Sequence, residues 1–172
     1  MRKVKKIMGR LLYAFAKFLP KSASRLRLGQ KTLRGFCGRL ILAECGNHVN
    51  IERNASFDSS VRLGDNSGLG INCQVGPYTT IGNNVMMGPN VRIYSRNHCT
   101  ERTDIPMCRQ GFAPVEPVVI GNDVWICEGV IICPGSRIGN GVILGAGAVV
   151  RGDIPDYAVV IGNPGTVIKY RR

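Results

Sequence analysis

Apolar residues return at every sixth position over most of this chain. They form one run from Cys45 to Ile93 and, after a break, a second run from Ile120 to Val150. All fifteen positions are apolar: Cys45, Ile51, Phe57, Leu63, Leu69, Val75, Ile81, Met87, Ile93, Ile120, Ile126, Ile132, Ile138, Leu144 and Val150. This period matches neither the alternation of a half-buried strand nor the 3.6-residue period of a helix. It predicts short strands that are joined by corners.

A second series of small or aliphatic residues lies four positions after each start. Its members are Val49, Ala55, Val61, Ser67, Cys73, Thr79, Val85, Val91, Val124, Val130, Ser136, Val142, Ala148 and Ile154. Turn formers such as Asn83–Asn84 and Asn140–Gly141 fall between the two series and tolerate positive φ. Each six-residue unit forms one short strand and one corner, and three such units close a triangular coil of 18 residues. Residues 18 positions apart, such as Cys45, Leu63 and Ile81, are then expected to stack. The pattern predicts an all-β parallel β-helix, and fifteen positions in register argue against an ordinary β-sandwich.

Two segments carry a resemblance to a known family. The stretches Ile81-Gly82-Asn83-Asn84-Val85 and Ile120-Gly121-Asn122-Asp123-Val124-Trp125-Ile126 resemble the signature of the hexapeptide-repeat acyltransferases. The nearest types are sugar O-acetyltransferases of the maltose, galactoside, nodulation and polysaccharide-biosynthesis kind. The resemblance covers roughly residues 45–172. It implies a left-handed β-helix, a homotrimer with active sites between subunits, and acetyl-CoA as co-substrate.

The repeat is interrupted once, between Ile93 and Ile120. These positions are 27 residues apart instead of six, which predicts an inserted loop over about residues 99–119. A long excursion from a regular solenoid is usually functional. His98, one of only two histidines, stands at the root of this loop. The segment Tyr94-Ser95-Arg96-Asn97-His98, with Glu101-Arg102-Thr103-Asp104, resembles the catalytic stretch of sugar O-acetyltransferases, in which the matching histidine is the general base.

The chemistry of acetyl transfer suits His98. Imidazole titrates near neutrality and can take a proton from a sugar hydroxyl as its oxygen attacks a thioester. Asn97 could donate a hydrogen bond to the acceptor or to the oxyanion. Glu101, Asp104 or a backbone carbonyl could orient the imidazole. Because the direct mechanism needs no covalent nucleophile, Cys99 is not assigned a role. The other histidine, His48, is interpreted as a surface residue or a hydrogen-bonded core residue.

The resemblance also implies the residues that bind acetyl-CoA. Trp125 would lie beside the CoA groove, Glu128 and Ala146 would offer backbone contacts to the pantetheine arm, and Arg151 and Lys169 would approach the phosphates. Relatives often have Ala-Lys where Gly165-Thr166 stands, so a phosphate contact of the family is missing. Lys169, Arg171 or Arg172 could replace it. The C-terminal tail covers about residues 156–172, and the alternative for its last four residues, Lys169-Tyr170-Arg171-Arg172, is a solvated end.

The first 42 residues predict a basic amphipathic arm. Apolar residues recur there with helical spacing: Val4, Ile7, Met8, Leu11, Leu12, Phe15, Phe18 and Leu19. Pro20 stops the segment. The arm contains twelve Lys and Arg and no acid through Arg39. Such a helix is typical of contact with a membrane surface through residues 1–19. Packing on the trimer or on a partner enzyme is the alternative.

Composition narrows the function classes. The net charge is +12, yet residues 40–172 carry eleven basic and eleven acidic residues, so nucleic acid is not an expected partner. The seven cysteines form no C-x-x-C pair, which indicates a reduced cytoplasmic protein without a metal site. A zinc carbonic anhydrase on the same fold needs three histidines per site. The chain has only two histidines in total, which argues against this function. We therefore predict acetyl transfer to a sugar or glycan hydroxyl. N-acetylation of an amino sugar or antibiotic, and a catalytically silent structural β-helix, are the alternatives.

Overall fold

The structure, a computed structural model, describes residues 2–172. Two helices, α1 (Arg2–Ala16) and α2 (Gln30–Ile41), precede a parallel β-helix of about six coils. The strands are β1 (Glu44–Cys45), β2 (Asn50–Ile51), β3 (Ser56–Phe57), β4 (Arg62–Leu63), β5 (Gly68–Leu69), β6 (Gln74–Val75), β7 (Thr80–Ile81), β8 (Met86–Met87), β9 (Arg92–Ile93), β10 (Val119–Ile120), β11 (Trp125–Ile126), β12 (Ile131–Ile132), β13 (Arg137–Ile138), β14 (Ile143–Leu144), β15 (Val149–Val150), β16 (Asp153–Ile154), β17 (Ala158–Ile161) and β18 (Thr166–Tyr170).

The strands stack into three faces. Face 1 has the order β1-β4-β7-β10-β13-β16, and face 3 has the order β15-β12-β9-β6-β3. Face 2 consists of the pair β2-β5 and the ladder β8-β11-β14-β17-β18, in which only β18 is antiparallel. Partners in the first coils are 18 residues apart, as in Cys45, Leu63 and Ile81. The predicted stacking is thus confirmed.

Both six-residue series point into the β-helix. Of the fifteen sixth-position residues, all but Cys45, Phe57 and Met87 are buried, and these three pack against the core. Every member of the second series is buried as well. The core is aliphatic, and each coil covers the apolar residues of the next, so burial extends along the whole axis.

The corners need left-handed backbone and very close approach between coils. Asn84 and Gly141, two of the predicted turn formers, have φ of 58° and 65°. Gly70 shows the close approach, because a Cβ there would lie 1.8 Å from the carbonyl oxygen of Gly88. No other residue fits such a position.

The insertion has the predicted size. Thr80 of β7 pairs with Val119 of β10, 39 residues later instead of 18, so 21 residues are added to this coil. Beyond α2 the helical content of residues 43–172 is a single 3₁₀ turn, Met107–Arg109, inside the inserted loop. The seven cysteines are free thiols.

The arm contains a helix that the sequence pattern did not predict. The buried residues of α2 are Gln30, Arg34, Gly35, Cys37, Gly38 and Ile41, spaced as one helical face. Because polar residues and glycines occupy this face, its periodicity is hidden from an apolar pattern. Close packing explains the glycines: a Cβ on Gly38 would lie 2.5 Å from Cδ1 of Ile51.

Arg34 fastens the arm to the β-helix. Its guanidinium is fully buried and donates to the carbonyl oxygens of Ile51 (2.6 Å) and Pro20 (3.0 Å). The same group lies 3.5 Å from the carboxylate of Glu52. Tyr13 of α1 adds a bond from its hydroxyl to the Ala55 carbonyl at 2.7 Å. Across residues 2–172, each helix is too short and too polar to traverse a bilayer.

Candidate active site

The inserted loop leaves and re-enters the β-helix at the corner after β9. Its two ends run antiparallel there: the N–H of Glu116 donates to the Ser95 carbonyl (2.7 Å), and the N–H of Ala113 donates to the Asn97 carbonyl (3.0 Å). His98 pairs with Phe112 one step further out. These backbone bonds make the loop's root a short, ordered ribbon that projects from the corner.

The imidazole of His98 is held by its neighbours across this ribbon. Its Nδ1 lies 3.2 Å from the carbonyl oxygen of Gly111. Its ring lies against the ring of Phe112, with centroids 4.2 Å apart and an interplanar angle of 30°. The guanidinium of Arg96 stands 3.9 Å from the centroid of the same Phe112 ring. His98 is exposed, so the remaining edge of its ring is open to solvent.

The Gly111 contact selects one tautomer of His98. A carbonyl oxygen only accepts, so this bond requires the proton on Nδ1 and leaves the Nε2 lone pair free. The nearby carboxylates are engaged elsewhere. Asp104 pairs with Arg102, whose hydrogen bond holds the pKa of Asp104 below its usual range, and Glu101 accepts from the N–H of Thr100. Of the three orienting groups considered from the sequence, the structure brings the backbone carbonyl to the ring.

Three residues of the loop root, Ser95, Gly111 and Phe112, had no role assigned from the sequence. Ser95 is buried, and among residues 2–172 its hydroxyl finds no hydrogen-bond partner. Gly111 acts through its carbonyl, for which a sequence carries no signal. Phe112 lies fourteen positions after His98 and offers no spacing rule. The side chain of Asn97 is exposed and stands next to His98, while its carbonyl helps to close the ribbon.

Trp125 and Lys169 lie in one row across face 2. Strand pairing aligns Trp125 with Ile143, Ile143 with Val159, and Val159 with Lys169. Trp125 is 47% exposed, so its indole faces outward. Three strand spacings of about 4.8 Å separate the two ends of this row, or roughly 14 Å. Sequence positions 44 residues apart are thus joined on one surface.

A basic cleft lies at the C-terminal end of this row. Its lining residues are Ile143, Val159, Lys169, Tyr170, Arg171 and Arg172. Arg171 donates to the Asp123 carboxylate and to the Gly141 carbonyl, both at 2.9 Å. Lys169 and Arg172 form no ion pair with any of the described residues. These two cations are therefore the ones available to an anionic ligand.

Glu128 and Ala146 occupy stacked corners between face 2 and face 3. The N–H of Gly147, next to Ala146, donates to the Glu128 carbonyl at 2.9 Å. The Glu128 carboxylate accepts from the side-chain amide of Asn90 at 3.1 Å. The N–H and carbonyl groups at these exposed corners form an edge along which an extended ligand can lie. Arg151 is elsewhere: it follows β15 on face 3, at the corner from which the loop also departs.

One chain does not bring all the candidate residues together. His98 and Arg151 belong to the corner that follows face 3, whereas Trp125 and Lys169 lie on face 2. The contacts of His98 are with the loop itself, at Gly111 and Phe112. These two groups, His98 with Arg151 and Trp125 with Lys169, are candidate half-sites on separate parts of this chain.

Comparisons of the sequence and the structure with known proteins point to the same family. The model of the bacterial transferase hexapeptide, six repeats, matches residues 60–95 and 117–152. WbbJ of Escherichia coli (strain K12), named for O-acetyl transfer in lipopolysaccharide biosynthesis, is 34% identical over 65% of this chain and 72% of its own length. The acetyltransferases of Schizosaccharomyces pombe and Mycobacterium tuberculosis that the chain resembles, one named putative and one named probable, are matched over 42% and 44% of their own length, so the chain spans less than half of each.

Solved structures agree in fold along nearly the whole chain. A maltose O-acetyltransferase from Clostridium difficile 630 is 30% identical, with a TM-score of 0.76 over 99% of this chain and 88% of that one. A galactoside acetyltransferase in complex with coenzyme A is 26% identical, with a TM-score of 0.75 over 98% and 82%. The chain therefore belongs to the hexapeptide-repeat acyltransferases and is an acetyltransferase of that family.

Proposed function

We propose that this protein transfers an acetyl group from acetyl-CoA to a hydroxyl of a sugar or glycan, with His98 as general base. The observation that carries the proposal is the His98 imidazole, which the Gly111 carbonyl holds with Nε2 free at an exposed position beside the loop. The named sugar O-acetyltransferases among the similar proteins support the acceptor class. A hydroxyl is a weak acid, so attack on a thioester is accelerated by a base that takes its proton in the transition state.

The proposed reaction is a direct transfer within a ternary complex. Nε2 of His98 takes the hydroxyl proton as the oxygen attacks the thioester carbonyl carbon. The C–S bond then breaks, the acetyl group stays on the oxygen, and the proton passes from the imidazolium to the departing sulfur. CoA leaves as the thiol, and His98 returns to its neutral form. Asn97, next to His98, could donate to the oxyanion or to the acceptor.

The cleft at the end of face 2 fits the anionic part of CoA. Lys169 and Arg172 present unpaired cations there, and phosphates are well bound by such groups. Trp125 would flank the groove at the other end of the row, and the corners of Glu128 and Ala146 would pair with the amides of the pantetheine arm. The thioester would then point away from the basic end.

A complete site on this account needs two copies of the chain. His98 and Arg151 would face a groove whose other wall, with Trp125 and Lys169, belongs to a neighbouring subunit. The family resemblance implies three copies, and a closed ring of three repeats this contact three times, so we propose a homotrimer with three equivalent sites. The separation of the two half-sites on one chain supports this arrangement.

The proposal is tested by CoA thiol release with a panel of acceptors. Purified protein and acetyl-CoA are mixed with free sugars, oligosaccharides, amino sugars with free or blocked amines, and chloramphenicol. Release that needs a sugar hydroxyl, with an acetyl ester found in the product, is expected. Release only with a free amine would favour N-acetylation instead. Acetyl-CoA binding without transfer to any acceptor would favour the silent β-helix.

A further inference from the structure

Helix α1 turns its apolar face away from the rest of the protein. The residues that pack on the body are Gly9 and Ala16, both buried, with Tyr13 half-buried beside them. At 100° per residue these positions lie opposite Leu11 and Phe15. Packing through small residues brings the helix close to α2, since a Cβ on Gly9 would lie 2.7 Å from Cβ of Leu40. The apolar face of α1 therefore does not contribute to the packing of a single chain.

The exposed face is long and strongly apolar. Its members and their exposed fractions are Val4 60%, Ile7 58%, Met8 52%, Leu11 63%, Phe15 79% and, just beyond the helix, Phe18 63%. Monomeric proteins rarely leave a contiguous patch of large apolar side chains in water without a partner for it. Some occupant is expected to cover this face.

Charge identifies the class of occupant. Lys3 and Arg10 border the apolar face on one side and Lys5 borders it on the other, and all three are exposed. Residues 1–43 contain no acid, and the first acidic residue of the chain is Glu44. A second copy of α1 would bring like charges together. An anionic lipid surface accepts both the apolar side chains and the flanking cations.

We propose that α1 is an interfacial membrane anchor that lies flat on an anionic leaflet. Leu11 and Phe15 enter the boundary between headgroups and acyl chains, and Lys3, Lys5 and Arg10 contact the phosphates. Arg34 and the buried small face of α1 hold the arm on the first coil of the β-helix, so the anchor is attached to the domain that carries the candidate site. The protein would then work beside the membrane surface and not within the bilayer.

Co-sedimentation with vesicles tests the proposal. The full-length protein is expected to bind vesicles of phosphatidylglycerol and phosphatidylcholine at least about tenfold more tightly than phosphatidylcholine alone. Leu11→Ser with Phe15→Ser should weaken this binding at least about tenfold, because two apolar side chains no longer leave water. Met86→Ser with Ile168→Ser is the matched control: it removes two similarly exposed apolar side chains from the β-helix and should bind as wild type.

Circular dichroism and sedimentation velocity accompany each variant. Since Leu11 and Phe15 make few contacts within one chain, folding and oligomeric mass should stay unchanged. The proposal is overturned if wild type ignores the vesicles, if both lipid mixtures bind equally, or if the Leu11/Phe15 variant binds as tightly as wild type. A change of oligomeric mass in that variant would assign the face to a second copy and would also overturn it.

Discussion

Nδ1 of His98 faces the carbonyl oxygen of Gly111 at 3.2 Å across the root of the inserted loop. Gly111 has a φ of 79°, and no atom lies within 4 Å of the position that a Cβ would take. The direction of its carbonyl is therefore set by this left-handed backbone conformation, since no neighbouring group crowds the residue. On our account this single bond determines which imidazole nitrogen is available as a base. The orientation of the Gly111 peptide thus becomes part of the catalytic geometry.

Substitution of Gly111 should damage turnover without unfolding the protein. Gly111→Val places a branched side chain at a positive φ, where it is strained, and the peptide should rotate to relieve it. We expect kcat to fall about tenfold or more with little change in the affinity for acetyl-CoA. Gly29→Val is the control, because Gly29 also has a positive φ of 69° and open space but lies in the arm. Equal kcat in both variants would contradict a role for the Gly111 carbonyl.

The two unpaired cations of the cleft should contribute to CoA affinity. Lys169→Ala with Arg172→Ala is expected to raise the Kd for acetyl-CoA by about tenfold or more, through the loss of charged hydrogen bonds to phosphate. Adding Arg171→Ala should also loosen the tail, since Arg171 bonds to Asp123. Calorimetric titration measures the Kd, with Arg137→Ala, an exposed cation of face 1, as control. An unchanged Kd in the triple variant would remove the phosphates from this cleft.

Mixed oligomers test whether the site lies between subunits. His98→Ala and Trp125→Ala should each be poorly active alone. When the two are co-expressed and mixed trimers are isolated, each mixed trimer contains one intact site of its three, so kcat should return to about a third of wild type. A monomeric mass in solution, or no recovery of activity in mixed trimers, would place each site within one chain.

The buried Arg34 should matter for stability far more than an exposed ion pair does. Arg34→Ala leaves Glu52 and several carbonyls without their partner and is expected to lower the free energy of unfolding by about 3 kcal/mol. Arg62→Ala, which breaks the exposed pair with Glu44, should cost less than about 1 kcal/mol. Chemical denaturation measures both. Similar losses in the two variants would contradict the fastening role of Arg34.

Glu52 gives this contact a pH dependence. Burial alone would raise the pKa of Glu52, but hydrogen bonds from the Ser22 N–H and Asn50, with the Arg34 charge, outweigh burial and hold it below its usual range. A depressed pKa stabilises the fold above the unfolded value of about 4.3, and the gain is lost as pH falls through the folded pKa. Glu52→Gln should therefore flatten the acid side of a stability-pH profile. A profile that is unchanged by this substitution would refute the linkage.

The repeat was predictable because stacking repeats the same demand in every coil. An inward residue such as Ile81 or Ile132 must be apolar each time, so the period is visible without any structure. The length of the insertion followed from the same register. Helix α2 was not predictable in this way, since Arg34 and Gly38 fill its buried face for reasons of bonding and close approach to particular partners.

The candidate site also contains some features that the sequence predicts and others that it does not. His98 and Trp125 could be named from sequence because their residue types and the family resemblance mark them. His98 lies beyond the corner after face 3 and Trp125 lies on face 2, and this separation depends on the three-dimensional closure of the coil, which no local pattern records. Gly111 acts through its backbone carbonyl, a group that every residue possesses. The contact between this carbonyl and His98 is therefore visible only in the structure, where the two ends of the loop meet.

The most direct test of the account is the turnover of His98→Ala, with Kd for acetyl-CoA measured on the same preparation. A positioned general base contributes about 10²–10⁴ in rate, so kcat should fall by that factor while Kd and the circular dichroism spectrum stay as in wild type. His48→Ala and Cys99→Ser should keep their activity. If His98→Ala retains more than about a tenth of wild-type kcat, or if Cys99→Ser is the inactive variant and an acetyl-cysteine can be trapped, His98 is not the base.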